Sequence, residues 1–155
     1  MKNEILLLSL GNDILKDDGV GLFAGREVKK KFNGKIDFVE SAESGLALLD
    51  HLIGYKKVLI LDSIKREDRE PGRIVEMRVE ELEVSSSPSP HYVGLPMSLQ
   101  IGKRLGFSLP EEIRILAMEV EDPYTLEEGL TEKVSLSFPN YVKRAEEILR
   151  EWLKE

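Results

Sequence analysis

The chain contains no cysteine. That absence excludes disulfides, thiolate metal sites and cysteine nucleophiles together, so any metal must be held by carboxylate or imidazole. Histidine is scarce as well: His51 and His91 are the only two. Long hydrophobic runs are missing. The N-terminal run Ile5 to Leu8 is too short for the apolar region of a signal peptide, and no later run approaches a membrane span, so no membrane insertion and a cytoplasmic location are expected. An excess of positive charge is missing too. With a net charge of −7 the chain lacks the electrostatic footprint of a general nucleic-acid binder.

What is present belongs to an ordinary globular protein, with 41% hydrophobic and 33% charged residues in 155. That length suits one domain over residues 1–155 with a proper core. Abundant lysine and glutamate beside a single glutamine favour ion-pair networks. No exposed apolar stripe or heptad seam is visible, so a monomer is expected when the chain is free.

The order of elements follows from periodicity. Glu4 to Leu10 reads as a strand covered on both faces. Ala24, Val28 and Phe32 recur at helical spacing within Gly21 to Phe32, and Asn33-Gly34 stops that helix. Ile36 to Glu40 reads as a second strand, Gly45 to Leu52 as a short helix, and Val58 to Leu61 as a third strand. Arg73 to Val79 alternates as a half-exposed strand near a sheet edge does. Residues 85–90, Ser-Ser-Ser-Pro-Ser-Pro, read as a mobile loop ending at His91. Leu95 to Leu105 reads as a helix and Ile113 to Val120 as a strand. A final helix is expected over Pro139 to Lys154, with proline at its first position and Val142, Ala145, Leu149 and Trp152 on one face. Strands alternating with helices imply an α/β three-layer sandwich with a mostly parallel twisted sheet, of the phosphorylase/hydrolase-like kind. In such sheets, sites form beyond the carboxyl ends of the strands where the topology reverses.

Several residues fall at those ends. Gly19-Val20-Gly21-Leu22-Phe23-Ala24 matches a dinucleotide fingerprint, with Glu40 ending the next strand as that motif requires. Against it, residues 12–18 separate the strand from the first glycine, and Asp17 and Asp18 would repel a pyrophosphate at the helix N-terminus. Taken alone, Asp18 reads as a helix cap, Asp62 as a turn residue or a site residue, and His91 as a surface histidine. Together, two carboxylates and an imidazole on loops from one sheet end could form an open O,O,N site suited to nickel or zinc. Asp13 and Asp17 read as solvent-facing or capping residues, His51 as structural and Asn12 as the residue that fixes the turn. Ser44-Gly45 lacks the nucleophile-elbow pattern of a serine hydrolase.

These residues carry a resemblance. Leu10-Gly11-Asn12 through Lys16-Asp17-Asp18-Gly19-Val20-Gly21 is similar to the Gly-Asn…Asp-(Glu or Asp)-Gly-x-Gly segment of the hydrogenase maturation proteases. Ser44-Gly45, the strand Val58 to Leu61 followed by Asp62, Pro71-Gly72, and Ser89-Pro90-His91 with Gly94-Leu95 support it. The resemblance implies an endopeptidase that trims the C-terminus of the nickel-iron hydrogenase large-subunit precursor. It further implies that Asp18, Asp62 and His91 are the catalytic set and bind nickel, carried by the substrate. Many members have glutamate where this chain has Asp18, and the shorter acid would set the metal closer to the backbone. Leu130-Thr131-Glu132 and the segment from Glu119 to Pro123 also depart from the family's usual pattern. Readings from other classes are a nickel-dependent checkpoint that holds the precursor without cutting it, a nucleotide-binding domain, and a peptidyl-tRNA hydrolase, which is typically basic where this chain is acidic.

Overall fold

A computed structural model describes residues 2–66, 70–82 and 90–155. The residues 85–89 read as a mobile loop lie outside the described residues. β1 (Ile5–Leu10) is buried along its whole length because it is the inner strand between β2 (Asp37–Ser41) and β3 (Lys57–Ile64), parallel to both. β5 (Glu112–Glu119) runs parallel to β3, and β4 (Ile74–Arg78) pairs antiparallel with β5 at the edge. The sheet order is β2-β1-β3-β5-β4. The chain leaves β1 in one direction for β2 and returns to the other side for β3, so the topology reverses between β1 and β3.

Alternation along β1 divides the core. Leu7 faces the layer formed by α1 (Val20–Lys29) and α4 (Glu132–Leu153), where Val28, Phe32, Ala145, Leu149 and Trp152 gather. Leu6, Leu8 and Leu10 face the layer that holds α2 (Gly45–Leu52), α3 (Leu95–Arg104), Tyr92 and Leu95. This is the expected α/β sandwich. Gly21 explains how closely α1 seats on the sheet: a Cβ there would stand 2.6 Å from the Leu61 carbonyl oxygen and 3.0 Å from the Asp62 nitrogen. A glycine is needed where a helix backbone touches a strand backbone.

Two expectations about elements are corrected. β3 does not stop at Leu61 but continues through Ile64, because β5 pairs with it as far as Ile64 opposite Glu119. Asp62 therefore lies inside the strand, just past Leu61, the last β3 residue paired with β1. The last helix begins at Glu132, and Pro139 lies in its interior. Proline removes the N–H that would bond to the carbonyl of Ser135. Both residues are exposed, so water can serve the freed group and the helix tolerates the break. No helix among the described residues is long and apolar enough to cross a membrane.

Candidate functional site

Asp62 is fully buried, and its backbone is held from below by α4. The Asp62 N–H donates to the Tyr141 hydroxyl at 3.1 Å, and that hydroxyl donates to the Leu116 carbonyl at 2.7 Å. Burial and the nearby Asp62 carboxylate both push the Tyr141 phenol well above its usual value, so it remains a neutral donor. On the opposite layer the Tyr92 phenol is also fully buried, and it too is raised by burial first and by Asp62 second. Two neutral phenols thus flank this carboxylate.

Asp18 arrives from the loop after β1. Its Oδ2 accepts the Asn12 N–H at 2.8 Å, while Asn12 Oδ1 accepts the Ile14 N–H at 3.1 Å, so Asn12 fixes the turn. Gly11 makes room for this approach. Its φ is +142°, and a Cβ would fall 2.3 Å from the Asp18 carbonyl oxygen. The side chains of Asp18 and Asp62 are joined through Ser63, whose hydroxyl donates to Asp18 Oδ1 at 2.9 Å and whose N–H donates to Asp62 Oδ1 at 2.8 Å.

His91 completes the group from a short 3₁₀ turn, Pro90–Tyr92. Its Nδ1 lies 2.9 Å from the Glu43 carbonyl oxygen. A carbonyl can only accept, so Nδ1 carries the proton and, in the neutral ring, Nε2 carries the lone pair. That Nε2 is 4.0 Å from Asp62 Oδ1. The structure therefore brings His91 against Asp62 and ties Asp18 to Asp62 through one serine, at the carboxyl ends of β1 and β3. Among the described residues, no three histidine, aspartate or glutamate side chains stand close enough to hold an ion by themselves. The arrangement is an open set of donors rather than a closed cage.

The other candidates sort differently. Asp17, expected at the surface or in a cap, is fully buried with φ +61°. The reason is its carboxylate, which is filled by donors from the chain beyond β5. Asp13 is not simply solvent-facing: it receives Arg26 at 3.0 Å. Arg26 also grips Glu40 through two bonds, at 2.7 and 2.8 Å. Glu40 is thus engaged by an arginine, and Gly21 serves the contact of α1 with β3. Neither performs the task that a dinucleotide motif would give it. His51 lies 3.3 Å from Glu43 Oε2 at the end of α2, in keeping with a structural role. Ser63, Tyr92 and Tyr141 are not marked out by the sequence patterns above. Helical spacing from Val134 to Tyr141 and Ala145 was the available signal, since a tyrosine on a core face requires a partner for its hydroxyl.

A family model described as "Hydrogenase maturation protease" matches residues 24–148, a stretch that holds Asp62 and His91. Among solved structures, the hydrogenase maturating endopeptidase HybD from Escherichia coli is similar, with 23% identity and a TM-score of 0.79 over 97% of this chain and 93% of that one. The [NiFe] hydrogenase maturation protease HybD from Thermococcus kodakarensis is 27% identical, with a TM-score of 0.71 over 96% of this chain and 99% of that one. HycI from the same organism, also a [NiFe] hydrogenase maturation protease, is 19% identical, with a TM-score of 0.65 over 99% and 94%. No curated protein sequence matches. The family model spans most of the sequence, and on that ground the chain belongs to the hydrogenase maturation protease family and is a peptidase that processes a hydrogenase precursor.

Proposed function

We propose that this peptidase removes the C-terminal extension of the nickel-loaded large-subunit precursor, and that Asp18, Asp62 and His91 meet the nickel that the precursor carries. The observation that carries this reading is the facing pair His91 Nε2 and Asp62 Oδ1, 4.0 Å apart at the point where the sheet topology reverses, with Asp18 one serine away. The donor chemistry suits a borderline divalent ion: two carboxylates and an imidazole whose other nitrogen is oriented by a backbone carbonyl. The set is open, so ligands from a substrate can complete it.

The division of labour follows from burial. Asp62 is enclosed and pinned through its backbone by Tyr141, which makes it a fixed reference point. His91 is held by the Glu43 carbonyl and presents Nε2 toward Asp62. Asp18 is half-buried, with Ser63 on one oxygen and Asn12 on the other, and it is placed to accept a proton from an attacking water. Nickel delivered with the precursor supplies polarisation of the scissile carbonyl or activation of that water. Seizing it also orients the adjoining peptide, and orientation of this kind lowers a barrier by up to roughly 7–11 kcal/mol.

The test is to incubate the protein with large-subunit precursor from the same source, with and without nickel loaded, and to weigh the products by mass spectrometry. Loss of a C-terminal peptide only from the loaded precursor is expected. A stable complex without cleavage would instead favour a checkpoint that holds the precursor. Equal cleavage of the nickel-free precursor would remove the role given to nickel.

A further inference from the structure

The residue beside Asp18 makes more of its own contacts than Asp18 does, and they all reach one place. Asp17 Oδ2 accepts the Glu121 N–H at 3.2 Å, the Asp122 N–H at 3.0 Å and the Thr131 hydroxyl at 2.7 Å. Its Oδ1 accepts the Thr131 N–H at 2.7 Å. Its own N–H donates to the Gly129 carbonyl at 3.0 Å. Both ends of the segment 121–131 are therefore fastened to one buried side chain. Between those ends, the Lys16 N–H donates to the Thr125 carbonyl at 2.9 Å, Leu15 forms a β-bridge with Leu126, and Lys16 pairs with Glu127 at 3.3 Å. The segment thus runs alongside residues 15–17, one residue from Asp18.

This clamp holds two large side chains outward. Tyr124 is 73% exposed and Leu126 76%, and Glu121, Glu127 and Glu128 are exposed around them. Asp122 fixes the bend that presents Tyr124, accepting the Tyr124 and Thr125 N–H groups at 3.0 Å each. Large apolar side chains presented to water by a fastened backbone beside a site, rather than folded inward, mark a contact surface. The surrounding acids favour a partner segment of positive charge.

Building on the protease reading above, we infer that Asp17 is a positioning residue that fixes the segment 121–131 as one wall of the substrate site. On that wall Tyr124 and Leu126 read a basic, apolar-flanked stretch of the precursor near its scissile bond. Asp17 touches no substrate. It acts by holding the wall at a constant distance from Asp18, so that recognition and cleavage share one frame. Thr131 is the N-cap residue of α4, so the same side chain also sets the start of the helix whose Tyr141 holds Asp62.

The experiment uses the full chain and nickel-loaded precursor, with KM and kcat measured separately and precursor affinity measured directly by fluorescence anisotropy. Tyr124→Ala combined with Leu126→Asp alters only exposed side chains; it should raise KM and the dissociation constant by about tenfold or more while kcat changes far less. Asp17→Asn puts an amide N–H₂ against the N–H of Thr131, or against the three donors on the other oxygen. It should speed hydrogen exchange across 121–131 without precursor and raise KM similarly. Adding Leu126→Asp to Asp17→Asn should then cost much less than Leu126→Asp costs alone, because a released wall no longer presents that residue. Should Asp17→Asn fail to fold, Thr131→Val removes one bond of the clamp and serves in its place. Unchanged affinity in the Tyr124/Leu126 variant, or fully additive losses, would overturn the inference. If the unaltered protein cleaves nothing, the protease reading fails by itself, and the anisotropy series still decides whether this wall binds the precursor.

Discussion

Removing one oxygen atom from Tyr141 tests whether the helix beneath the site keeps Asp62 in place. Tyr141→Phe retains the ring, so the core keeps its volume and no cavity term enters. What disappears is the hydroxyl that receives the buried Asp62 N–H at 3.1 Å and donates to the Leu116 carbonyl at 2.7 Å. The carbonyl has a second lone pair and suffers less than the N–H, which loses this acceptor in a fully buried setting. Leaving one buried donor poorly served costs about 1–3 kcal/mol. For a chain of this size that corresponds to a midpoint lowered by roughly 2–12 °C. The catalytic effect should be larger than the loss of stability suggests. A carboxylate displaced by about 1 Å can cost on the order of a hundredfold in rate. Differential scanning calorimetry would supply the midpoint, and single-turnover processing of nickel-loaded precursor, run well below that midpoint, would supply the rate. An unchanged midpoint together with an unchanged rate would refute the claim that α4 positions Asp62.

Other perturbations have equally definite outcomes. Gly11→Ala should lower both stability and processing, because its Cβ would collide with the Asp18 carbonyl at 2.3 Å and a φ of +142° strains any side chain; normal processing by a folded Gly11→Ala protein would contradict the tight approach described. His91→Ala should abolish processing while the circular dichroism melt stays close to that of the parent, since the Glu43 carbonyl that orients the ring lies in a loop before α2 rather than in the core; a normal product mass would remove His91 from the site. Arg26 holds the Glu40 carboxyl below its ordinary value of 4.5, so Glu40 stabilises the fold above that value and loses its contribution as falling pH protonates it in the folded state. Urea melts of the parent and of Glu40→Gln should therefore differ at pH 7 and converge as the acid limb is descended, and a constant difference would exclude this ion pair as the cause. Tyr55, raised to about 12 by burial and then by Asp37, should lose its contribution as pH climbs from 10 toward that value, and Tyr55→Phe should flatten the alkaline limb of the same melts.

The elements that were legible in the sequence are those in which one physical signal dominates. β1 is plain because an inner parallel strand is apolar on both faces, and α2 is legible at its observed bounds because its run is rich in leucine. The β3 signal ends at Leu61 because Asp62 and Ser63 interrupt an apolar run. What extends the strand is its pairing with β5, a partner 55 residues further along the chain (Lys57 opposite Glu112) that no local pattern reveals. Pro139 conceals the true start of α4 for the opposite reason: a strong local rule is outweighed by the burial of Val134 before it and Tyr141 after it. The edge position of β4 could be read from its alternation, whereas its antiparallel direction depends on where the chain returns.

The candidate site shows the same division at finer scale. Asp18, Asp62 and His91 are conspicuous by residue type, as two carboxylates and an imidazole, but taken singly they read as a cap, a turn residue and a surface histidine; the nearness of His91 to Asp62 and the serine link to Asp18 are visible only in three dimensions. Asp17 cannot be told from Asp18 by type, since either reads locally as a capping residue. The difference lies in the donors each meets. Asp18 is served by Asn12 from its own loop and by Ser63 from β3, and it stays half-exposed; Asp17 is served by Glu121, Asp122 and Thr131, and it is buried. Two adjacent aspartates thus divide the work of one loop. The outer one is left accessible while the inner one is consumed in fixing the loop, and exchanging Asp17 for asparagine should be felt at Asp18 without touching it.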